Sequence, residues 1–344
     1  QRFMSASALL TLRFVSCLAT HAAAPARSLE TRIACKSGMQ IAAKVWGDAD
    51  APLRVLALHG WMDNAASWDS LAPALLPSAH VVAIDLPGHG LSDHAPASAE
   101  YSQTEHAFAV YDVLNALGWL DKGTDNAVDG ESRSCGFCLL GHSMGGGIAC
   151  LVASALPEYV QRLALVEGFG PLARDPSAFS LQLRDALRKR HAAAAGTSLA
   201  RERLYATVAD AAAARVNGAK RLPGRQYMSL EAAACLAERG VAEGAEGKLR
   251  FRHDRRLANP SSHAWHEDQV LSVLAAIACP TLLVQAKDGW PRPEPGFSLR
   301  VSAMQPGLLS VRTLPEGSHY AHLDPPTAEL VRDEVVPFIA AAGI

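Results

Sequence analysis

The sequence lacks any run of about 18 uncharged apolar residues, so it does not predict a segment that spans a membrane. It also lacks a charge imbalance, and a formal net charge of −2 gives no electrostatic reason to expect a nucleic acid as partner. The seven cysteines are odd in number and scattered, which does not fit a disulfide framework. With 49% hydrophobic and 19% charged residues, the chain can instead bury a sizeable core.

Residues 1–28 differ in composition from the rest of the chain. They contain three arginines and many alanines and serines, and the first acidic residue is Glu30. This composition is typical of an organellar transit peptide, whereas Arg13 interrupts what would be the apolar core of a secretory signal. A disordered extension is the alternative. We therefore expect a plastid or mitochondrial location if residues 1–28 are a transit peptide, and a cytoplasmic one otherwise.

From residue 31 onward, short apolar runs alternate with helix-like segments. The runs are almost entirely apolar, as in strands that are buried on both faces of a parallel sheet. The alternation therefore predicts an α/β fold with a mostly parallel, doubly wound sheet. Ligand chemistry in such sheets gathers at the carboxyl ends of the strands. Four polar residues follow predicted strands directly: His59, Asp85, Ser143 and Glu167.

The alternation stops after Pro171 and resumes with the apolar run 280–285. Between these points the chain is rich in alanine and arginine and suggests several helices without strand-like runs. We interpret residues 171–278 as a helical cap, inserted into a core of residues 31–170 and 279–344. Its basic clusters are interpreted as solvated helix faces, with the attraction of an anionic substrate as the alternative.

The stretch Gly141-His142-Ser143-Met144-Gly145 fits the pattern Gly-x-Ser-x-Gly. An apolar run precedes it and a helix-like run follows, which predicts a nucleophile elbow. In this motif a strained strand-to-helix turn exposes the serine hydroxyl above the sheet edge. Side chains at the two glycine positions would collide with the neighbouring strand or helix. The helix behind Ser143 would direct unpaired N–H groups at the reaction centre.

Several motifs flank the elbow in a fixed order along the chain. They are His59-Gly60-Trp61-Met62-Asp63-Asn64, Asp85-Leu86-Pro87-Gly88-His89-Gly90, Glu167-Gly168-Phe169-Gly170 and Gly317-Ser318-His319-Tyr320-Ala321-His322. With these motifs the chain resembles the α/β-hydrolase superfamily and, within it, the serine hydrolase-like protein family. The resemblance covers residues 31 to 343 and implies the α/β-hydrolase fold with an inserted cap. It does not fix a substrate.

The resemblance implies the order serine, acid, histidine along the chain. Ser143 is then the nucleophile and His319 the base, since a serine hydroxyl reacts poorly until a neighbouring base takes its proton. His322 is the alternative histidine, but its position favours contact with the start of the last helix. We expect Asp288, which follows the strand where the superfamily usually places the acid, to orient the imidazole. Glu167, at the end of the preceding sheet strand, is the alternative acid.

The oxyanion hole is predicted from two backbone N–H groups, those of Trp61 and Met144. Superfamily members that open carbon–halogen bonds or epoxides have aspartate at the elbow, so Ser143 argues against both reactions. We predict a serine hydrolase without cofactor or metal that cleaves a small to medium carboxylic ester through an acyl-enzyme intermediate. The alternatives are a carbon–carbon bond or thioester hydrolase on the same triad, and a non-catalytic ligand-binding protein. The expected partner is a small-molecule substrate, and the oligomeric state is left open.

Overall fold

The structure is a computed structural model that describes residues 27–121, 136–194, 202–259, 261–262 and 265–343. The N-terminal extension predicted over residues 1–28 lies, apart from its last two residues, outside this part of the chain. The described strands are β1 (Leu29–Ala34), β2 (Gln40–Trp46), β3 (Leu53–Leu58), β4 (Ala79–Ile84), β5 (Phe137–His142), β6 (Val160–Val166), β7 (Val241–Glu243), β8 (Leu249–Phe251), β9 (Thr281–Gln285) and β10 (Leu309–Thr313).

The described α-helices are α1 (Gln103–Ala116), α2 (Met144–Ala155), α3 (Phe179–Ala194), α4 (Val208–Ala219), α5 (Leu230–Gly240), α6 (Glu267–Ala275), α7 (Gly296–Ala303) and α8 (Pro325–Ala340). Short 3₁₀ helices, among them Ala65–Trp68 and Ala72–Leu75, connect β3 to β4. None of the helices in the described ranges is long and apolar enough to cross a membrane.

Eight strands form one sheet in the order β1-β2-β4-β3-β5-β6-β9-β10. The pairs β1–β2 and β2–β4 are antiparallel, and the other neighbouring strands are parallel. The mostly parallel sheet predicted from the sequence is therefore confirmed. Strand β5 lies at its centre, between β3 and β6, so the residue that follows β5 stands in the middle of the carboxyl edge.

Helices cover both faces of the sheet. Successive side chains of a strand point to opposite faces, and the neighbours Leu139 and Leu140 of β5 accordingly belong to two different apolar clusters. Leu139 packs in the cluster that contains Val113 of α1 and Ile148 of α2. Leu140 packs in the cluster that contains Val335 of α8. The sheet is thus doubly wound, and its two apolar layers fix the direction in which β5 delivers the next residue.

The segment between β6 and β9 holds α3, α4, α5, the β7–β8 hairpin and α6. Helices α4 and α5 share an alanine-rich cluster that includes Ala212, Ala233 and Ala237. The hairpin was not predicted, because strands of three residues carry too short a pattern to be seen in the sequence. Val270 and Leu274 of α6 pack in the core cluster with α2, which favours an earlier end of the cap than residue 278. The division into cap and core stays a prediction.

Candidate active site

Ser143 connects β5 to α2 with a backbone that few residues other than glycine adopt. Its φ is 52° and its ψ is −118°, so the turn is strained. A Cβ added at Gly141 would lie 2.7 Å from the carbonyl oxygen of Gly145, and one added at Gly145 would lie 2.6 Å from that of His59. These two close approaches confirm the steric reason for the glycines of the predicted elbow.

Replacing Gly145 with alanine should lower the free energy of unfolding by about 1–3 kcal/mol, because the new methyl group meets backbone atoms that cannot rotate away. The matched control is Gly296→Ala, where an added Cβ has no atom within 4 Å. The control should change stability by less than about 0.5 kcal/mol. Urea denaturation of the two variants measures both values. Equal stabilities would show that the elbow tolerates a side chain and would contradict the steric argument.

The structure brings three predicted side chains together at the carboxyl edge of the sheet. The Ser143 hydroxyl lies 2.8 Å from Nε2 of His319. On the other side of the imidazole, Nδ1 of His319 lies 3.4 Å from Oε2 of Glu167. Both His319 and Glu167 are buried, with 4% and 5% of their surface exposed. The serine therefore faces a histidine that is backed by a carboxylate, which is the arrangement that activates a hydroxyl.

The structure does not place Asp288, the acid expected from the sequence, behind the imidazole; the alternative residue, Glu167, lies there. Asp288 stands beside the chain just before His319: its N–H donates to the Gly317 carbonyl at 3.0 Å. No hydrogen bond or ion pair joins the Asp288 carboxylate to His319 within the described residues. Both acids follow neighbouring strands of the sheet, and β6 delivers Glu167 directly at its end, within reach of the ring.

The Glu167 carboxylate accepts hydrogen bonds from several groups. The backbone N–H groups of Ala286 and Trp290 donate to it at 2.6 Å each, and Arg292 donates at 2.7 Å. Burial by itself would raise the pKa of Glu167, but the bond from His319, the Arg292 charge and these N–H groups outweigh it and lower the pKa. Glu167 is therefore an anion at neutral pH. Burial lowers the pKa of His319, and Glu167 partly offsets that effect.

The backbone N–H groups of Trp61 and Met144 were predicted to form the oxyanion hole. Met144 is the first residue of α2, where an N–H group has no partner inside the helix. Neither N–H donates to another described residue, and both residues line the same cavity as Ser143 and His319. This placement supports the oxyanion hole, which stays a prediction.

A chain of polar contacts joins the cap to this site. Arg215 of α4 donates to the Met62 carbonyl at 2.7 Å and pairs with the buried Asp63 carboxylate. Asp63 lies 3.5 Å from Nδ1 of His142, the residue before the nucleophile. Nε2 of His142 then donates to the carbonyl of His319 at 2.8 Å. The loop that carries Trp61, the elbow and the histidine loop are thus held by one set of contacts.

The remaining predicted residues support loops rather than the reaction. His59 accepts a hydrogen bond from the Leu86 N–H at 3.0 Å. Asp85 accepts from two backbone N–H groups at 2.7 Å each and pairs with Arg239. His322, the alternative histidine, is fully buried, and its ring centroid lies 4.0 Å from that of His142 rather than at the serine.

Two further residues of the site were not found from the sequence. Gln226 of the cap accepts a hydrogen bond from the backbone N–H of His319 at 2.8 Å and donates one to the Gly289 carbonyl at 2.9 Å. It thereby joins the histidine loop to the loop that follows β9. Arg292 pairs with Glu167 from a proline-rich loop. Neither residue sits in a recognisable motif. Asp63, by contrast, lies inside the His59-Gly60-Trp61-Met62-Asp63 motif, so the sequence does contain a signal for this residue.

Residues 55–333 match the model of the alpha/beta hydrolase family, and the chain belongs to this family. Among its relatives are proteins named serine hydrolase-like. One from Dictyostelium discoideum is 29% identical over 318 residues, covering 86% of this chain and 77% of the relative. One from Danio rerio is 29% identical over 293 residues, covering 84% and 82%. The resemblance to serine hydrolase-like proteins seen in the motifs is therefore confirmed.

Solved structures agree with this family. A hypothetical protein from Pseudomonas aeruginosa is 33% identical, with a TM-score of 0.76 over 90% of this chain and 99% of that chain. The thioesterase domain from the curacin biosynthetic pathway is 24% identical, with a TM-score of 0.69 over 88% and 97%, and supports the fold alone. The α/β-hydrolase fold is thus shown, and the family is one of hydrolases.

Proposed function

We propose that the protein is a serine hydrolase that cleaves a small to medium carboxylic ester through an acyl-enzyme intermediate. The observation that carries the proposal is the 2.8 Å contact of the Ser143 hydroxyl with His319, whose other ring nitrogen faces Glu167. The two contacts align a hydroxyl, an imidazole and a carboxylate, which supports the roles of nucleophile, base and orienting acid proposed for them. This geometry supports an enzyme over the ligand-binding alternative.

In the proposed reaction Nε2 of His319 takes the Ser143 proton as the hydroxyl oxygen attacks the ester carbonyl. The buried Glu167 anion holds the imidazole in the tautomer with hydrogen on Nδ1 and stabilises the imidazolium that forms. The N–H groups of Trp61 and Met144 stabilise the oxyanion. His319 then gives its proton to the leaving alcohol, and a water molecule activated by the same imidazole releases the acid.

The cavity beside Ser143 has a volume of about 1210 Å³ and room for a substrate of this size. Buried apolar side chains such as Phe169 and Met228 line it together with polar ones. Such a mixture suits an apolar acyl or alcohol group with a polar ester at the serine. A thioester would be attacked in the same way, because its carbonyl offers the same acceptor for the oxyanion hole.

A fluorophosphonate tests the proposal directly, since it reacts with an activated serine and leaves a covalent adduct that intact-mass measurement detects. We expect one adduct on the unaltered protein and none on Ser143→Ala. The control variant Ser302→Ala removes an exposed hydroxyl of α7 and should keep the adduct. An unlabelled protein, or a Ser143→Ala variant that is still labelled, would remove Ser143 from the nucleophile's role.

A further inference from the structure

The cavity beside Ser143 is rich in positive charge. Of the described residues that line it, eight are arginines and none is lysine, against four aspartates and glutamates. The whole chain has a formal net charge of −2, so the excess of positive charge belongs to this cavity and not to the protein as a whole. Its volume also exceeds the range of about 300–1000 Å³ that is usual for small-molecule sites. The cavity therefore has both space and charge beyond what a small neutral ester needs.

Part of this charge is taken up by acids of the same lining. Three pairs are closed: Arg215 with Asp63, Arg292 with Glu167, and Arg300 with Glu267. A fourth contact, between Arg250 and Glu202, is 4.0 Å long and joins two exposed side chains, so it neutralises little. The closed pairs hold the cap and the catalytic acid in place and leave no charge for a ligand.

Four arginines of the lining have no such partner: Arg174, Arg203, Arg221 and Arg255. All four are exposed, and their guanidinium groups make no hydrogen bond or ion pair with another described residue. The apolar lining shows the opposite burial, since Phe169, Met228 and Leu283 are each less than 10% exposed. The cavity thus combines buried apolar side chains with unpaired arginines where it meets the solvent.

We propose, on the basis of the hydrolase function proposed above, that the substrate is an anionic amphiphile. It is an acyl ester or thioester whose apolar part fills the buried lining and whose phosphate or carboxylate group binds the unpaired arginines. Guanidinium groups bind both anions with charge-assisted hydrogen bonds and attract them before contact. The bond from the acyl carbon to oxygen or sulfur breaks as the Ser143 ester forms, and the alcohol or thiol leaves with the proton that His319 took from Ser143. Water then releases the carboxylic acid and regenerates Ser143.

The test compares two pairs of substrates, each with an anionic and a neutral member that share the same reacting acyl bond, and the salt dependence isolates the effect of charge. Hexanoyl coenzyme A carries phosphates on its leaving group, and its partner is the neutral hexanoyl thioester of N-acetylcysteamine. The p-nitrophenyl half-ester of adipic acid carries a carboxylate on its acyl group, and its partner is neutral p-nitrophenyl hexanoate. We expect kcat/KM to be at least about 10-fold higher for the anionic member of one pair at low ionic strength, and the ratio to fall as salt is added. The pair that responds identifies which part of the substrate carries the charge.

The double variant Arg221→Gln/Arg255→Gln should lower that charge preference by about 5-fold or more, because two exposed cationic contacts to the anion are lost. The control double variant is Arg184→Gln/Arg188→Gln. It removes two exposed arginines of α3 that do not line the cavity and should keep the preference. Equal loss in both double variants would mean that the general charge of the cap matters and the cavity arginines do not.

The outcomes separate this proposal from the hydrolase function on which it rests. If fluorophosphonate labels Ser143 and both pairs are hydrolysed without a charge preference, the anionic substrate class is wrong and the hydrolase remains. If Ser143 is not labelled and no substrate of either pair is cleaved, the hydrolase function itself has failed.

Discussion

The Glu167→Gln variant should hydrolyse esters about 10³- to 10⁴-fold more slowly than the unaltered protein, with kcat carrying most of the loss. Glutamine has nearly the shape of glutamate but no negative charge, so it neither stabilises the imidazolium of His319 nor fixes the tautomer with hydrogen on Nδ1. Steady-state kinetics on a p-nitrophenyl ester measures the loss. A melting temperature for each variant shows that the comparison is made between folded proteins.

Asp288→Asn is the matched control, because it removes a carboxylate from the acid that the sequence favoured. Its kcat should stay within about threefold of the unaltered value, since the Asp288 carboxylate makes no hydrogen bond or ion pair with His319 within the described residues, and Asn keeps the backbone contact to Gly317. The pH profile gives a second readout. Burial lowers the pKa of His319 and Glu167 raises it again, so without this carboxylate the acidic limb of kcat/KM should move to lower pH. A large loss in Asp288→Asn with an active Glu167→Gln would reverse the assignment of the acid.

The free energy of unfolding should fall by at least about 4 kcal/mol between pH 7.5 and pH 5.5. Three of the buried histidines, His89, His106 and His322, have their pKa lowered in the folded protein, chiefly by burial, and that of His106 to about 3. Burial lowers the pKa values of His59, His253 and His319 as well, which adds to the fall. The unfolded chain therefore binds protons that the folded protein does not. Stability is full above the ordinary histidine pKa and is lost as the pH falls below it. Each such group contributes about 1.4 kcal/mol at pH 5.5.

Denaturant titrations at several pH values measure this loss. His106→Leu removes one of these groups and should reduce the fall by about 1.4 kcal/mol, whereas the exposed His191→Gln should not change it. The measurements stop at pH 5.5, because Asp69 and Asp324, whose pKa values burial raises, take up protons in the folded protein at lower pH and offset the loss. A free energy of unfolding that is independent of pH in this window would show that these rings are protonated in the folded state.

The fold and the contact between Ser143 and His319 could be predicted because their signals are local. The apolar runs of the strands are continuous, and the elbow pattern stands in one stretch with two glycines that the turn requires. The acid could not be decided in this way. Glu167 and Asp288 both follow strands that lie side by side, and only the reach of the side chain from the strand end tells them apart. The sequence alone does not give the distance from each carboxylate to the imidazole of His319.

The other missed features share a similar cause. Arg215 contacts Met62 across 153 residues of chain, and Gln226 contacts His319 across 93. A contact between two distant single residues leaves no periodic pattern and needs no motif. The basic clusters of the cap are a second case in which the sequence does not reveal the role of each residue. Arg255 lines the cavity, while its neighbour Arg256 binds Asp254 and the carbonyls of residues 95–99, and composition alone could not separate the two roles.

Through the Arg215 contacts, a movement of α4 in the cap is transmitted to the loop that carries Trp61. Trp61 is the immediate neighbour of Met62, so a displacement of α4 that moves the Met62 carbonyl also shifts the chain beside the Trp61 N–H, which we propose faces the oxyanion. A substrate that displaces the cap would stay bound in the cavity and still lose the hydrogen bond from the Trp61 N–H on which its hydrolysis is proposed to depend. The enzyme would then discriminate by size in the speed of conversion, even among molecules that it holds equally tightly.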